Sequence, residues 1–273
     1  MSSSIAGTSP FEGDILVCAP HMDDDALGCG TLIALHARRG RVHVLFASDG
    51  SRSPEPPRDE PRADRGLPAV REAEAIAGLA VLGVPRSNIE FMRLPDGSLG
   101  LHEDEIARAI CDRSEAVGAS TVFVPFRYDR HPDHLAVNRA ASSARRDGRF
   151  PATLVEYFVY TKWRMLASGD VRDYVRHEDT VRVHAAEAAG LKRAALAHHR
   201  SQTTLYYQGQ RRPILTGALL DQACAEPETF LRYRPDRAGR RGLARGRWWV
   251  PLACKLEPSL KRLKDRLTGE TVQ

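Results

Sequence analysis

Two clusters of acid and imidazole side chains stand more than 100 residues apart in this chain of 273 residues. The first is Pro20-His21-Met22-Asp23-Asp24-Asp25. The second is Tyr128-Asp129-Arg130-His131-Pro132-Asp133-His134. Three consecutive carboxylates repel one another unless a cation is close. Imidazole nitrogens beside a carboxylate suit a borderline divalent metal. Two histidines with one aspartate leave coordination positions open to water and substrate, the composition of a catalytic site and not of a structural one. A further carboxylate beside activated water serves as general base. A further histidine stabilises an oxyanion or protonates a leaving group. Each cluster alone has a plainer reading. The aspartates suit a helix N-terminus, and His-Pro-Asp-His suits a surface turn. Both clusters at one sheet edge point to an active site.

The hydrophobic pattern supplies that edge. Apolar runs at residues 14–20, 41–47, 89–94, 121–126 and 154–160 read as strands, and helical periods fill 26–39, 70–82, 103–117 and 135–146. Strands alternating with helices imply an α/β, Rossmann-like three-layer fold: a mostly parallel sheet with helices on both faces. Ligands bind such sheets outside the carboxyl ends of the strands, where both clusters lie. Farther along, a strand at 180–183 and helices at 185–199 and 215–224 read as an extension over one end of the sheet. Residues 51–68 hold Pro54, Pro56, Pro57, Pro61 and Pro68 among charges, which excludes a helix or a central strand. A loop of this length at the site edge reads as a lid, mobile without substrate and ordered with it.

Composition bounds the rest. Hydrophobic residues at 42% and charged residues at 27% exclude a disordered or collagen-like chain. No apolar run reaches the ~18 residues of a membrane span. The first ten residues have neither a basic nor an apolar leader, so a secretory signal is not expected. Five cysteines without a C-x-x-C pair exclude a cysteine zinc site and fit the reduced thiols of a cytoplasmic protein. His36, His43 and Trp163 read as structural groups. Gly28-Cys29-Gly30 lacks the rest of a dinucleotide fingerprint, so its glycines read as places of close helix–sheet approach.

The net charge of +5 is uneven, because residues 231–267 alone carry +9. Residues 1–230 therefore read as the catalytic domain and 231–273 as a basic tail. Trp248 and Trp249 precede Leu256, Leu260, Leu263 and Leu267, with Lys261, Arg262, Lys264 and Arg266 between them. Pro258 is expected to prevent one long helix and to sit in the first turn of a short one. Two readings stand side by side. The tail is an interfacial helix on an anionic membrane, peripheral at the inner face, or its leucines dock on the protein's own body. Nucleic acid is not expected as a partner, and the oligomeric state is open.

The first cluster resembles the His-Pro-Asp-Asp-Glu motif of the PIG-L (LmbE-like) de-N-acetylase family, and His131-Pro132-Asp133-His134 resembles its second motif. Arg71-Glu72-Ala73-Glu74, Leu94-Pro95-Asp96-Gly97, Lys192 and His199-Arg200-Ser201-Gln202 resemble further segments, so the resemblance spans residues 12–205. It implies a single zinc site and removal of the N-acetyl group from an N-acetylglucosamine-type conjugate; the membrane reading of the tail adds a lipid-linked sugar as an alternative to a soluble one. It further implies His21, Asp24 and His134 as metal ligands, and Asp23 as general base. His131 would be the oxyanion-side group, oriented by Asp133, and Arg71, Asp96 and Tyr128 would be substrate contacts. Met22 replaces the motif's proline and Asp25 its glutamate, at no implied ligand or base. The donor set also accepts Fe2+ or another divalent ion in place of Zn2+. Alternatives are an amide hydrolase on a non-sugar or longer acyl substrate, a non-catalytic sugar-binding relative, and a nucleotide-binding transferase, which the incomplete glycine motif disfavours.

Overall fold

A computed structural model describes residues 5–6, 9–55, 66–163, 165–225, 227–234 and 242–268. The strands are β1 (Ile5–Ala6), β2 (Asp14–Ala19), β3 (Val42–Ser48), β4 (Ile89–Leu94), β5 (Ala119–Pro125), β6 (Thr153–Tyr157), β7 (Thr180–His184) and β8 (Glu228–Arg232). They form one sheet in the order β1-β7-β8-β6-β5-β2-β3-β4. Its pairings are parallel except where β8 meets β6 and β7. β2, β3 and β5 are the apolar runs with both faces covered, as the middle of a parallel sheet requires.

The helices are α1 (Asp24–His36), α2 (Leu67–Val81), α3 (Glu103–Ala116), α4 (Pro132–Arg146), α5 (Ala186–Leu196), α6 (Arg200–Thr203), α7 (Gly217–Ala223) and α8 (Trp249–Thr268). Side chains of α1, α2 and α5 pack in one core with Val17, Val44 and Phe123. Those of α3 and α4 pack on the opposite face with Leu16, Leu45 and Val122. The three-layer α/β expectation is borne out. The missed strands are β1, only two residues long, and β8, whose Glu228-Thr-Phe-Leu-Arg232 is too short and too polar at its start to announce a strand. The boundary drawn at residue 230 falls inside β8, whose last residue, Arg232, already belongs to the basic segment. Pro258 does not end a helix. α8 continues through it, because a proline removes one backbone bond while the turns on either side keep theirs. Residues 56–65, the middle of the expected lid, lie outside the described residues.

α1 carries the acid cluster at its start, and its seating rests on one buried ion pair. Lys192 Nζ of α5 donates to Leu27 O and to Glu228 Oε1, both at 2.7 Å. The Glu228 carboxylate also accepts from the backbone N–H groups of Thr31 and Leu32 at 2.9 and 2.8 Å. Glycine lets these elements meet. A Cβ on Gly28 would collide with the Tyr157 ring, and one on Gly30 would lie 2.6 Å from Lys192 Cγ. Lys192→Met strands a buried carboxylate, so we expect a loss of about 3–5 kcal/mol in urea unfolding. A loss below about 1 kcal/mol, the range of an exposed pair, would show that the pair does not brace the helix.

Candidate active site

Four strand ends build the site. The turn after β2 presents His21 to Asp25, and the segment after β3 presents Asp49 to Ser53. The segment after β4 presents Asp96 to Leu99, and the loop after β5 presents Asp129 to His134. Asp49 Oδ1 ties two of them by accepting from the N–H groups of Ser51 and Asp96. The loop after β5 is anchored from below. The Glu156 carboxylate accepts from Arg127 Nε at 2.9 Å, and from Asn138 Nδ2 of α4 at 2.8 Å.

The expected metal ligands converge. Asp24 Oδ2 lies 3.0 Å from His21 Nδ1 and 3.1 Å from His134 Nε2. His134 is fully buried and makes no hydrogen bond through either ring nitrogen, although Asp129 Oδ1 lies 3.1 Å from its Nδ1. A buried imidazole set between two carboxylates, with neither ring nitrogen in an aligned hydrogen bond, is a donor that a divalent ion would complete on displacing its proton. The donor set therefore fits such an ion. Among the described residues, two groupings bring one ligand atom from each member within 4.8 Å of the others: His21, His131 and His134, and His21, Asp96 and Asp133; both share His21 and neither includes Asp24. His21 Nε2 is 3.2 Å from Asp96 Oδ1 and 3.3 Å from Asp133 Oδ2.

The protonation states follow from this crowding. Burial disfavours an imidazolium at His21, but hydrogen bonds to Asp133, Asp24 and Asp96 raise its pKa well above the ordinary value. Burial likewise opposes charge on His134, yet Asp24 and Asp129 lift its pKa to about 10. Burial opposes ionisation of Asp24, and the two histidines nevertheless hold its carboxyl well below the carboxylate range. Without a cation, protons carry the compensating charge; with one, they are released.

Asp23 is set apart. It is buried, and its carboxylate accepts from Arg71 Nη2 at 3.3 Å. Burial pushes its pKa up, against the pull of the Arg71 guanidinium. Arg71 is itself 2% exposed and donates to Gly50 O and Ser53 O at 3.2 and 3.3 Å. The side chain expected to touch substrate is thus occupied in holding Asp23 and the start of the 51–68 loop. Gln202 of the later segment donates to the same Ser53 O at 2.9 Å.

His131 packs edge-on against the His21 ring at 4.7 Å. Its Nδ1 accepts from the Asp133 backbone N–H at 3.2 Å. The Asp133 carboxylate instead accepts from Gly97 N at 2.8 Å and Leu99 N at 3.1 Å, besides facing His21. The expectation that Asp133 orients His131 is corrected accordingly: its backbone does so, and its carboxylate joins the β4 end to His21. Burial, then the positive rings of His21 and His134, lower the His131 pKa to about 4. A neutral ring accepting at Nδ1 carries its proton on Nε2.

Asp96 lies in the cluster and accepts from Arg52 N at 3.0 Å. Tyr128 is placed differently. Its ring meets Phe126 at 5.7 Å, and its carbonyl accepts from Cys254 Sγ, so its contacts lead toward α8. Residue-by-residue reading left Asp129 and Tyr160 without roles. Asp129 sits inside the quoted second cluster, and Oδ1 accepts from His131 N. Tyr160, stacked on His134 at 5.6 Å, gave no signal beyond a strand-end aromatic. Asp25 is 1% exposed, its Oδ1 makes no hydrogen bond, and burial raises its pKa to about 8. The structural readings of His36, His43 and Trp163 are supported by burial of all three, with His36 Nε2 donating to Gly13 O at 2.7 Å.

Residues 16–145 match the PIG-L family, described as GlcNAc-PI de-N-acetylase. Among solved structures, the chain is similar to the A40926 pseudoaglycone deacetylase Dbv21, at 23% identity and a TM-score of 0.59, over 80% of this chain and 96% of that one. It is similar to the zinc-inhibited form of the teicoplanin deacetylase Orf2, at 21% identity and a TM-score of 0.60, over 81% and 99%. It is also similar to the 4-carboxy-2-hydroxymuconate hydratase GalB of Pseudomonas putida KT2440, at 19% identity and a TM-score of 0.54, over 78% and 83%. Likeness at these identities shows the fold. That fold carries hydrolases and a hydratase, so the reaction must be argued from the side chains.

Proposed function

We propose, on the premise that residues 16–145 match the PIG-L family, that this chain is a divalent-metal-dependent hydrolase that removes the N-acetyl group from an N-acetylglucosamine-type conjugate. The observation that carries the reading is the division of labour within one cluster. His21, Asp24 and His134 converge as donors, while Asp23 stands beside them on Arg71 and outside that set. A hydratase has no amine to release, and the family description favours the amide. A cytoplasmic setting fits five free cysteines. Among the described residues no helix is long and apolar enough to cross a membrane.

His21, Asp24 and His134 would hold the ion, Zn2+ first and Fe2+ as the other borderline choice. When bound, such an ion supplies Lewis-acid activation of the amide carbonyl and of water. Asp23 takes a proton from the water that adds to the carbonyl carbon. His131 donates its Nε2 proton in a hydrogen bond to the developing oxyanion and stays neutral, because Nδ1 is already an acceptor. The C–N bond then breaks, and Asp23 returns its proton to the leaving nitrogen, so acetic acid and free amine leave. Arg71 keeps Asp23 oriented, Asp96 lies where a sugar hydroxyl would be read, and Tyr128 is assigned to the outer rim.

The test is primary-amine release across a panel of N-acetylated amino sugars and non-sugar acyl amides, with metal content measured on the same preparation. Release from the sugars, with about one divalent ion per chain, is the expected result. Release only from non-sugar amides would move the chain to the wider amide-hydrolase reading. Binding without release would make it a sugar-binding relative. A smaller effect is expected of His131→Ala. It should retain metal and lose about 10²- to 10³-fold in kcat, the scale of one oxyanion donor. Metal loss in that variant would instead place His131 among the ligands.

A further inference from the structure

α8 is amphipathic in an unusual sense, because its two faces meet different environments. The inner face holds Val250 and Ala253, buried with Phe126, Phe158, Trp163 and Leu243. Beside them Cys254 Sγ donates to Tyr128 O at 3.4 Å, and Glu257 pairs with Arg130. Leu252, Leu256, Leu260 and Leu263 recur at three- and four-residue steps, which puts them on one stripe. They are 44%, 41%, 47% and 52% exposed, and Trp248 and Trp249 at the helix start are 62% and 64% exposed. Among the described residues, these leucines therefore do not dock on the protein's own body.

We propose that α8 is an interfacial helix that seats this protein on an anionic lipid bilayer. Charge complementarity selects that occupant. Arg245, Arg247 and Lys255 are exposed around the start of the stripe, and the sequence puts Lys or Arg at 261, 262, 264 and 266. Indole rings at the helix start, a leucine stripe and flanking cations match the amphipathic order of a bilayer interface, with apolar groups at acyl depth and cations at the phosphates. A second copy of the chain is a poor occupant, because stripe-to-stripe contact brings two sets of cations together. The inner face fixes what the seating does. α8 grips residues 126–130, which lead directly into His131, so docking holds the rim of the candidate active site at the lipid surface. Under the deacetylase reading, an amino sugar on a lipid carrier is presented there; that last step rests on the reading, and the seating itself does not.

The experiment is co-sedimentation of the full chain with phosphatidylcholine vesicles, with and without phosphatidylglycerol. Binding to the anionic vesicles at low salt, and release at about 0.5 M NaCl, is the expected result. Leu260→Asp with Leu263→Asp should weaken it by at least about ten-fold. Arg247→Gln with Lys255→Gln should weaken it by about twenty-five-fold, at roughly five-fold per basic group. All four substitutions are at exposed positions, and an unchanged circular dichroism melt confirms that each variant is folded. A chain that stays in the supernatant at low salt overturns the proposal, as does full binding by the leucine variant. A dimer abolished by the leucine substitutions, without vesicle binding, would assign the stripe to a second copy and equally overturn it. None of these readouts uses turnover, so failure here leaves the hydrolase reading standing, and failure of amine release leaves the seating standing.

Discussion

His134→Ala is expected to strip the chain of its divalent ion and reduce turnover to background. His134 is fully buried and its ring nitrogens make no hydrogen bonds, so no water replaces the missing ligand easily. Asp24, left between one histidine and a cavity, loses a group that now holds its charge. Metal analysis should fall from about one ion per chain to near zero, with activity lost in parallel. Folding should survive at reduced stability, because the cavity forms at the carboxyl end of the sheet and not in either apolar core. A variant that retains a full equivalent of metal would remove His134 from the ligand set and favour the grouping of His21 with Asp96 and Asp133.

Asp23→Asn should behave in the opposite way toward metal. The substitution is isosteric, keeps an acceptor for Arg71 and touches no proposed ligand, so about one ion should remain. Turnover should drop by about 10²- to 10⁴-fold, the range of a lost general base. The pH profile provides a second readout. Asp23 works ionised, so the rate falls as pH falls through its pKa. Burial sets that limb above the ordinary carboxylate value, while Arg71 restrains the rise. Arg71→Gln removes the restraint and should move the limb to higher pH, and Asp23→Asn should abolish the limb altogether. Undiminished turnover with metal bound would assign the base to another carboxylate, with Asp96 next in line.

The parts of the molecule that obey a single period were legible in the sequence. β2, β3 and β5 are unbroken apolar runs because both faces are covered, and α1 to α4 carry helical spacing with terminal glycine or proline signals. The site was legible because its donors fall in two short clusters at strand ends. Less legible was whatever depends on pairing at a distance. β8 declares itself only through Glu228, which meets the N–H groups of Thr31 and Leu32 nearly 200 residues earlier in the chain. Arg71 looked like a substrate contact, yet the backbone carbonyls of Gly50 and Ser53 claim it. The division of Asp133 between backbone and carboxylate depends on where Gly97 and Leu99 fall, which no local pattern encodes.

The position of β8 sets a calendar for synthesis. β2 through β6, with α1 to α4 between them, emerge from the ribosome in the first 157 residues and can pair as they appear. α1 is then present with its aspartates, but the carboxylate that holds its Thr31 and Leu32 amides is still untranslated. The strand that bears it must enter between β6 and β7, antiparallel to both. Until then β6 is an open edge, and the nascent chain exposes a template for pairing with its neighbours on the same message. The bracing of the helix that carries the acid cluster is thereby postponed until the end of translation.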